Sequence, residues 1–305
     1  MTTYILKRLV QVPITLLVVT VVVFVLLHLA GNLVDLLLPL DASAAQRAEL
    51  THALHLDEPL PIQYLRFLGG LVQGDFGTSL FYQRPALAVV LDRLPASLEL
   101  AIIGMLIAVV SGIGLGIVAG VKEGSLTDTV ISALTVFGQS MPSFWLGIML
   151  ILLFAVNLHI LPTGGRGQPN QIILPAITLA AFLAPQILLL TRSSLLEVLH
   201  EPYITVARAK GLPGSVVILR HALRNALNPV IASVGLQFGS LMGGAVITET
   251  VFAWPGLGQL SVQAIFSRDL PVVEASVVVL AIGVLLANLV VDVLNAQVDP
   301  RIRYH

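Results

Sequence analysis

Six apolar stretches, each near the length that crosses a lipid bilayer, punctuate this 305-residue sequence and leave few alternatives to a membrane-spanning fold. They read as Val10 to Ala30, Ser97 to Val121, Thr129 to Val156, Ile172 to Leu190, Pro229 to Phe252 and Val272 to Val291. A bilayer core needs roughly 20 apolar residues in helical form. Inside it every backbone amide must bond within its own segment, and apolar runs without alternation argue for helices over barrel strands. Composition agrees: with 56% hydrophobic residues, 11% charged residues and a mean hydropathy of +0.94, a soluble fold would expose too much apolar surface. The sequence predicts an all-α integral membrane bundle of six transmembrane helices.

Lys and Arg set the orientation, because short cytoplasmic loops retain them. With the N-terminus inside, ten of the 16 fall on the cytoplasmic side: Lys7, Arg8, Lys122, Arg192, Arg208, Lys210, Arg220, Arg224, Arg301 and Arg303. Arg47, Arg66, Arg84, Arg93, Arg166 and Arg268 fall outside. The first four of these lie in the long segment Gly31 to Pro95, where the rule has little force, so both termini are expected in the cytoplasm. Lys7 and Arg8 before an apolar run superficially resemble a cleavable signal, but the run exceeds the usual 7 to about 15 residues of such a core. No cysteine is available to brace the outer segment with a disulfide.

That segment is too long for a structureless loop. Ala44 to His55 and Ile62 to Gln73 carry apolar residues at helical spacing, separated by Pro59 and Pro61, and Gly74 to Gly77 reads as a turn. The expected organisation is a first helix within 1–30, an extracytoplasmic segment over 31–95, a core over 96–293 and a cytoplasmic tail over 294–305.

Small residues recur every fourth position at Gly104, Ala108, Gly112, Gly116 and Gly120, and at Gly235, Gly239 and Gly243. Such rows let helix backbones approach closely, either as fixed packing or as surfaces that slide during transport. The Gly112 to Gly116 cluster lies mid-membrane and follows no strand, so it is no nucleotide loop, and no glycine precedes any lysine as a phosphate loop requires. His200-Glu201 begins like a zinc-protease motif, but the position four after His200 is Ile204 and Pro202 would disturb the helix. His52 and His55 share a helical face without forming a metal-binding pattern, and His28 stands alone within a span. Glu99, Glu249, Glu274 and Asp292 fall near span ends, where snorkelling or interfacial water would satisfy them. With span interiors nearly free of ionisable residues, a carrier driven by a coupling ion is disfavoured and energy is expected from a partner.

Between the fourth and fifth spans, Thr191 to Asn228 is charged, helical and longer than a connector. Its centre reads Tyr203-Ile204-Thr205-Val206-Ala207-Arg208-Ala209-Lys210-Gly211-Leu212-Pro213, then His221-Ala222-Leu223-Arg224-Asn225-Ala226-Leu227. Physically this is a short helix stopped by glycine and proline, a turn, and a basic helix returning to the membrane. It reads either as a solvated loop or as a docking element for a cytoplasmic partner.

This segment, about residues 203–228, resembles the EAA loop of bacterial ABC importer permeases, in the branch that takes up dipeptides, oligopeptides, nickel, glutathione and opines. The three name-giving positions are Thr205, Val206 and Ala207, of which only Ala207 matches the general pattern; Ala207 to Gly211 matches the branch's own version. Similar strings are Leu56 to Leu60, Gly74 to Ser79, Pro142 to Gly147, Glu249 to Gly258 and Asp299 to Arg303. Ala30-Gly31-Asn32-Leu33 departs from the branch's usual Pro-Gly-Asp-Pro.

The resemblance implies a type I permease core with one extra N-terminal helix, in a bacterial inner membrane. It implies a second permease subunit, two cytoplasmic ATPase subunits and an extracytoplasmic solute-binding protein, with ATP and Mg bound by the ATPase subunits. This chain would bind no cofactor and catalyse nothing, and it would contact lipid but no nucleic acid. Ala207, Arg208, Ala209, Lys210 and Gly211 would form the coupling region. Di- or oligopeptides are the first expectation for the solute; nickel, glutathione, an opine or an oligosaccharide remain open, as does an ion-coupled secondary transporter. Gln139, Ser140, Ser143, Gln186 and Gln237 are polar groups that either line a pathway or bond neighbouring helices.

Overall fold

The computed structural model describes residues 2–29, 43–53 and 57–298. Helices dominate, and among the described residues the only strand-like pairing is an isolated bridge between Thr78 and Pro85. The described residues form two compact units, one drawn from Thr2–Pro95 with Leu257–Gly283, the other of Ala96–Gly256 with residues 284–298.

In the first unit α1 (Thr2–Leu29) is followed by the short α2 (Ala44–Ala53) and by α3 (Leu60–Gln73). Pro59 and Pro61 start α3, where missing amide donors cost nothing, and Gly74 ends it in the left-handed region at φ 72°. α3 packs on α1 through aromatic edges, with Phe24 and Tyr64 centroids 5.3 Å apart, and the Tyr64 and Thr20 hydroxyls lie 3.0 Å apart. The first turns of α4 (Ala86–Val121), α10 (Leu257–Phe266) and the start of α11 (Leu270–Val298) enclose a core of Ala86, Val89, Val90, Leu257, Leu260, Val272 and Ala275. The Ser79 hydroxyl donates to Asp269 at 2.5 Å, and the Leu80 and Phe81 amides donate to the same carboxylate. This fixes the 78–85 turn.

The second unit holds the rest of α4, α5 (Leu126–Ser140), α6 (Ser143–Leu150) prolonged by a π-helical stretch Ile151–Asn157, and α7 (Ile173–Leu199). α8 (Pro202–Ala209) follows, and Gly214–Val216 with a second π stretch, Val217–Ala222, leads without a break into α9 (Leu223–Val251).

Three differences from expectation have local causes. The expected span Thr129 to Val156 is not one straight helix: α5 and the α6 segment meet at 105°. Met141, immediately before Pro142, is extended at ψ 132°, as the proline ring forces on the residue ahead of it. α4 starts at Ala86 and carries Pro95 inside it, whereas the sequence placed the span after that proline. α7 and α9 likewise overrun their expected ends, to Leu199 and from Leu223, so the exposed turn between them shrinks. At 27 residues α7 is about 40 Å long, more than the bilayer core requires.

The glycine rows show how the bundle is threaded. Gly104, Gly112, Gly116 and Gly120 of α4 meet Leu179, Ile187, Thr191 and Leu195 of α7 in turn, so these helices run parallel and in step. A methyl group at Gly116 would come within 2.8 Å of the Leu188 carbonyl oxygen. Parallel neighbours require the intervening chain to return to the opposite end, so the bent α5–α6 pair makes one crossing and is no re-entrant loop. Gly235 of α9 meets Val291 and Gly239 meets Asn288, an antiparallel pairing with α11. Gly243 belongs to α9, but its surroundings lie outside the described residues, as do Ala30 to Leu33, His55 and Asp299 to Arg303.

Candidate functional site

The turn between α7 and α9 is built around one buried stripe. Pro202 supplies the fixed φ suited to a helix start, and Gly211, at φ 76°, closes the helix in a conformation that L-residues rarely adopt. Nothing lies within 4 Å of where a Cβ at Gly211 would stand, so glycine is required there for its backbone and not for space. Ile204 and Ala207, one turn apart, are buried with Leu195, Val217, Ala222 and Ala226. Asn225 Nδ2 donates to the Tyr203 hydroxyl at 2.7 Å and ties α8 to α9.

The opposite face is open. Val206 is 52% exposed and Leu212 37%, and Arg208, Ala209 and Lys210 are exposed beside them. Of the five residues singled out in the sequence, Ala207 is therefore an internal anchor, Gly211 shapes the turn, and Arg208, Ala209 and Lys210 present an outer surface.

A second feature stiffens this end. Asp128, in the first turn of α5, receives Arg192 Nε at 2.7 Å and a terminal guanidinium nitrogen at 2.8 Å, while the Gly124 amide donates at 3.0 Å. The Arg192 hydrogen bond leads in holding the Asp128 carboxyl down at about 2, and Asp128 in turn raises Arg192. The pair joins α5 to α7 seven residues before α7 ends, just ahead of α8. Sequence reasoning counted Arg192 only as a loop charge; Ser125 capping the Asp128 amide three residues on was the signal that could have located its partner.

At the far end of α9 the string Glu249 to Gly256 folds back on itself. Glu249 is 1% exposed and accepts the Ser97 hydroxyl at 2.5 Å. It is buried and hydrogen-bonded, which corrects the expectation of a snorkelling or water-satisfied side chain. Its carboxylate occupies the space a side chain at Gly256 would need. Trp254 Nε1 donates to the Ala96 carbonyl at 2.8 Å, and Ala253 sits at φ 48°. Phe252 lies against Gly147, and its carbonyl accepts from the Gly165 amide at 2.9 Å. Arg166 pairs with Glu99 at 2.7 Å, its guanidinium 6.0 Å from the Trp254 ring centre. The family-like strings around Pro142 and Glu249 thus meet.

Between the two ends α7 and α9 flank a cleft of about 470 Å³ lined by Gln186, Pro229, Ala232, Ser233, Leu236 and Gln237. Gln186 and Gln237, separate candidates in the sequence, are brought together here. Gln139, Ser140 and Ser143 lie instead at the α5–α6 bend.

Two family descriptions match the chain: binding-protein-dependent transport system inner membrane component over residues 112–304, and the N-terminal part of such membrane components over residues 1–101. The glutathione transport system permease protein GsiC of Salmonella paratyphi A is 43% identical over 305 residues, covering all of both chains. Its namesake from Escherichia coli (strain K12) is 41% identical over the same length. Among solved structures, an inward-facing MetNI methionine ABC transporter matches with a TM-score of 0.60 at 21% identity, over 69% of this chain and 96% of that one. An amino acid ABC transporter with histidines matches at 0.56 and 14% identity, over 69% and 94%. Since relatives of such identity span the whole chain and the solved importers share its helix arrangement, the chain belongs to the inner membrane components of binding-protein-dependent transport systems, the type I permeases of ABC importers.

Proposed function

We propose that this permease works beside a second permease subunit, that its α8 turn docks on a cytoplasmic ATPase subunit, and that it carries glutathione or other short peptides released by an extracytoplasmic binding protein. The α8 turn carries the reading. Ile204 and Ala207 lock it to the bundle, so a push on Val206, Arg208, Ala209 and Lys210 moves α7 and α9 together. ATP and Mg then act on the partner subunits, and nucleotide-driven closure shifts this chain between inward-open and outward-open states. The excess of Lys and Arg at the α8 end supports placing that end, with both termini, in the cytoplasm. Full-length relatives named for glutathione transport support a tripeptide within the short-peptide class.

The test is to purify the chain with its co-expressed partners and reconstitute it in liposomes. Two ATPase subunits per permease pair are expected, with ATP-dependent glutathione uptake that requires the binding protein. Reversing the charges of Arg208 and Lys210 together should abolish uptake while leaving the permease inserted. Uptake by the permease alone without ATP would instead establish a secondary carrier.

A further inference from the structure

Gln186 sits at an uncomfortable depth. Gly112, well inside the apolar run of α4, meets Ala184 and Ile187, which places Gln186 at the same level of the bundle. An amide facing hydrocarbon there is costly, and polar side chains at such depth face another helix or a wet cavity. Yet Gln186 is exposed on this chain and borders the cleft opposite α9. On α9, Ser233 and Gln237 are one turn apart, their side chains 3.4 Å from each other, and face the same cleft. Pro229, inside α9, stands at the edge of the cleft.

The cleft's volume, about 470 Å³, falls among those of small-molecule sites, roughly 300 to 1,000 Å³. Its lining has donors and acceptors but no fixed charge. Glutamine amides and a serine hydroxyl complement groups that both donate and accept, as a peptide bond does. They offer neither a carboxylate nor an imidazole to a bare metal ion. We propose that the cleft is a transit station in the solute path, taking the neutral amide portion of a short peptide through Gln186, Ser233 and Gln237. The proposal rests on the short-peptide reading and names the chemistry that its pathway selects. Weak, reversible contacts suit such a station, because a tight site would trap the solute.

The chain has no cysteine, so Ser233→Cys creates a unique thiol in this subunit. In the assembled importer in liposomes, a small water-soluble methanethiosulfonate should modify that thiol, and glutathione or trialanine supplied with the binding protein and ATP should slow the modification. Gln186→Leu, at a position exposed on this chain, should lower peptide uptake about tenfold, the scale of one lost polar contact. Binding-protein-stimulated ATP hydrolysis should persist in that variant, and Gln186→Asn should recover much of the uptake. A thiol that stays unreactive in the complex would assign the cleft to lipid or to the second permease and overturn the proposal, as would normal uptake by Gln186→Leu. Failure of the unaltered importer to take up either peptide with ATP would instead bring down the short-peptide reading, and the station with it.

Discussion

At Gly211 and Ala207 the same short helix imposes two different demands. Gly211 has open space around its α-carbon but a left-handed φ, so substitutions there should rank by backbone tolerance. Gly211→Asn should retain most ATP-coupled uptake, Gly211→Ala should lose about 1 kcal/mol of local stability, and Gly211→Val should lose more. Gly211→Asp fits the backbone but sets a negative charge beside Arg208 and Lys210, so its defect should be in coupling and not in insertion. A ranking by side-chain volume alone would rule out the conformational account. Ala207, 7% exposed, is packed, so Ala207→Leu should cost about 1–3 kcal/mol and lower the melting temperature of the purified complex. Ala209→Leu, on the outer face, should leave that temperature unchanged and alter ATPase stimulation instead.

Between elements, contact with α7 decides which glycines matter. A methyl at Gly114 would have nothing within 4 Å, whereas one at Gly116 would meet Thr191 at 2.7 Å. Gly114→Leu should therefore yield normal amounts of stable permease, and Gly116→Leu should separate α4 from α7 and reduce the amount recovered in detergent. Asp128 and Arg192 give a pH expectation of definite sign. The folded Asp128 pKa is depressed, so the pair stabilises above the usual carboxylate value and its contribution is lost as pH falls toward about 2. The melting-temperature difference between the native protein and Asp128→Asn should thus be flat between about pH 5 and 8, and a slope there would contradict it. The glycine rows and the α8 turn were legible in the sequence because spacing and breaker residues report local geometry directly. Asp128–Arg192, Ser97–Glu249 and Ser79–Asp269 were not, since each joins residues far apart in the chain and no periodicity links them. The α5–α6 bend fell between these cases: Pro142 was visible, but hydropathy registers apolar length and is blind to direction.

For the whole molecule, the parallel pairing of α4 with α7 makes a topological claim. Single cysteines replacing Gly124 and His200 should be labelled from one side of the membrane, the cytoplasmic side if the charge pattern governs insertion, and one replacing Gln168 from the other. Labelling of all three from one side would make the α5–α6 pair a re-entrant hairpin. The π-helical stretch Val217–Ala222 has a consequence for how this permease tolerates changes in length. A π turn holds one residue more than an α turn, and each residue added to a helix rotates the downstream turns by about 100°. That stretch therefore holds a spare residue between the α8 turn and the face of α9 carrying Gly235 and Gly239. Removing one residue there can be absorbed by relaxation to α-helix, whereas the same deletion a few positions later must turn Ser233 and Gln237 away from Gln186.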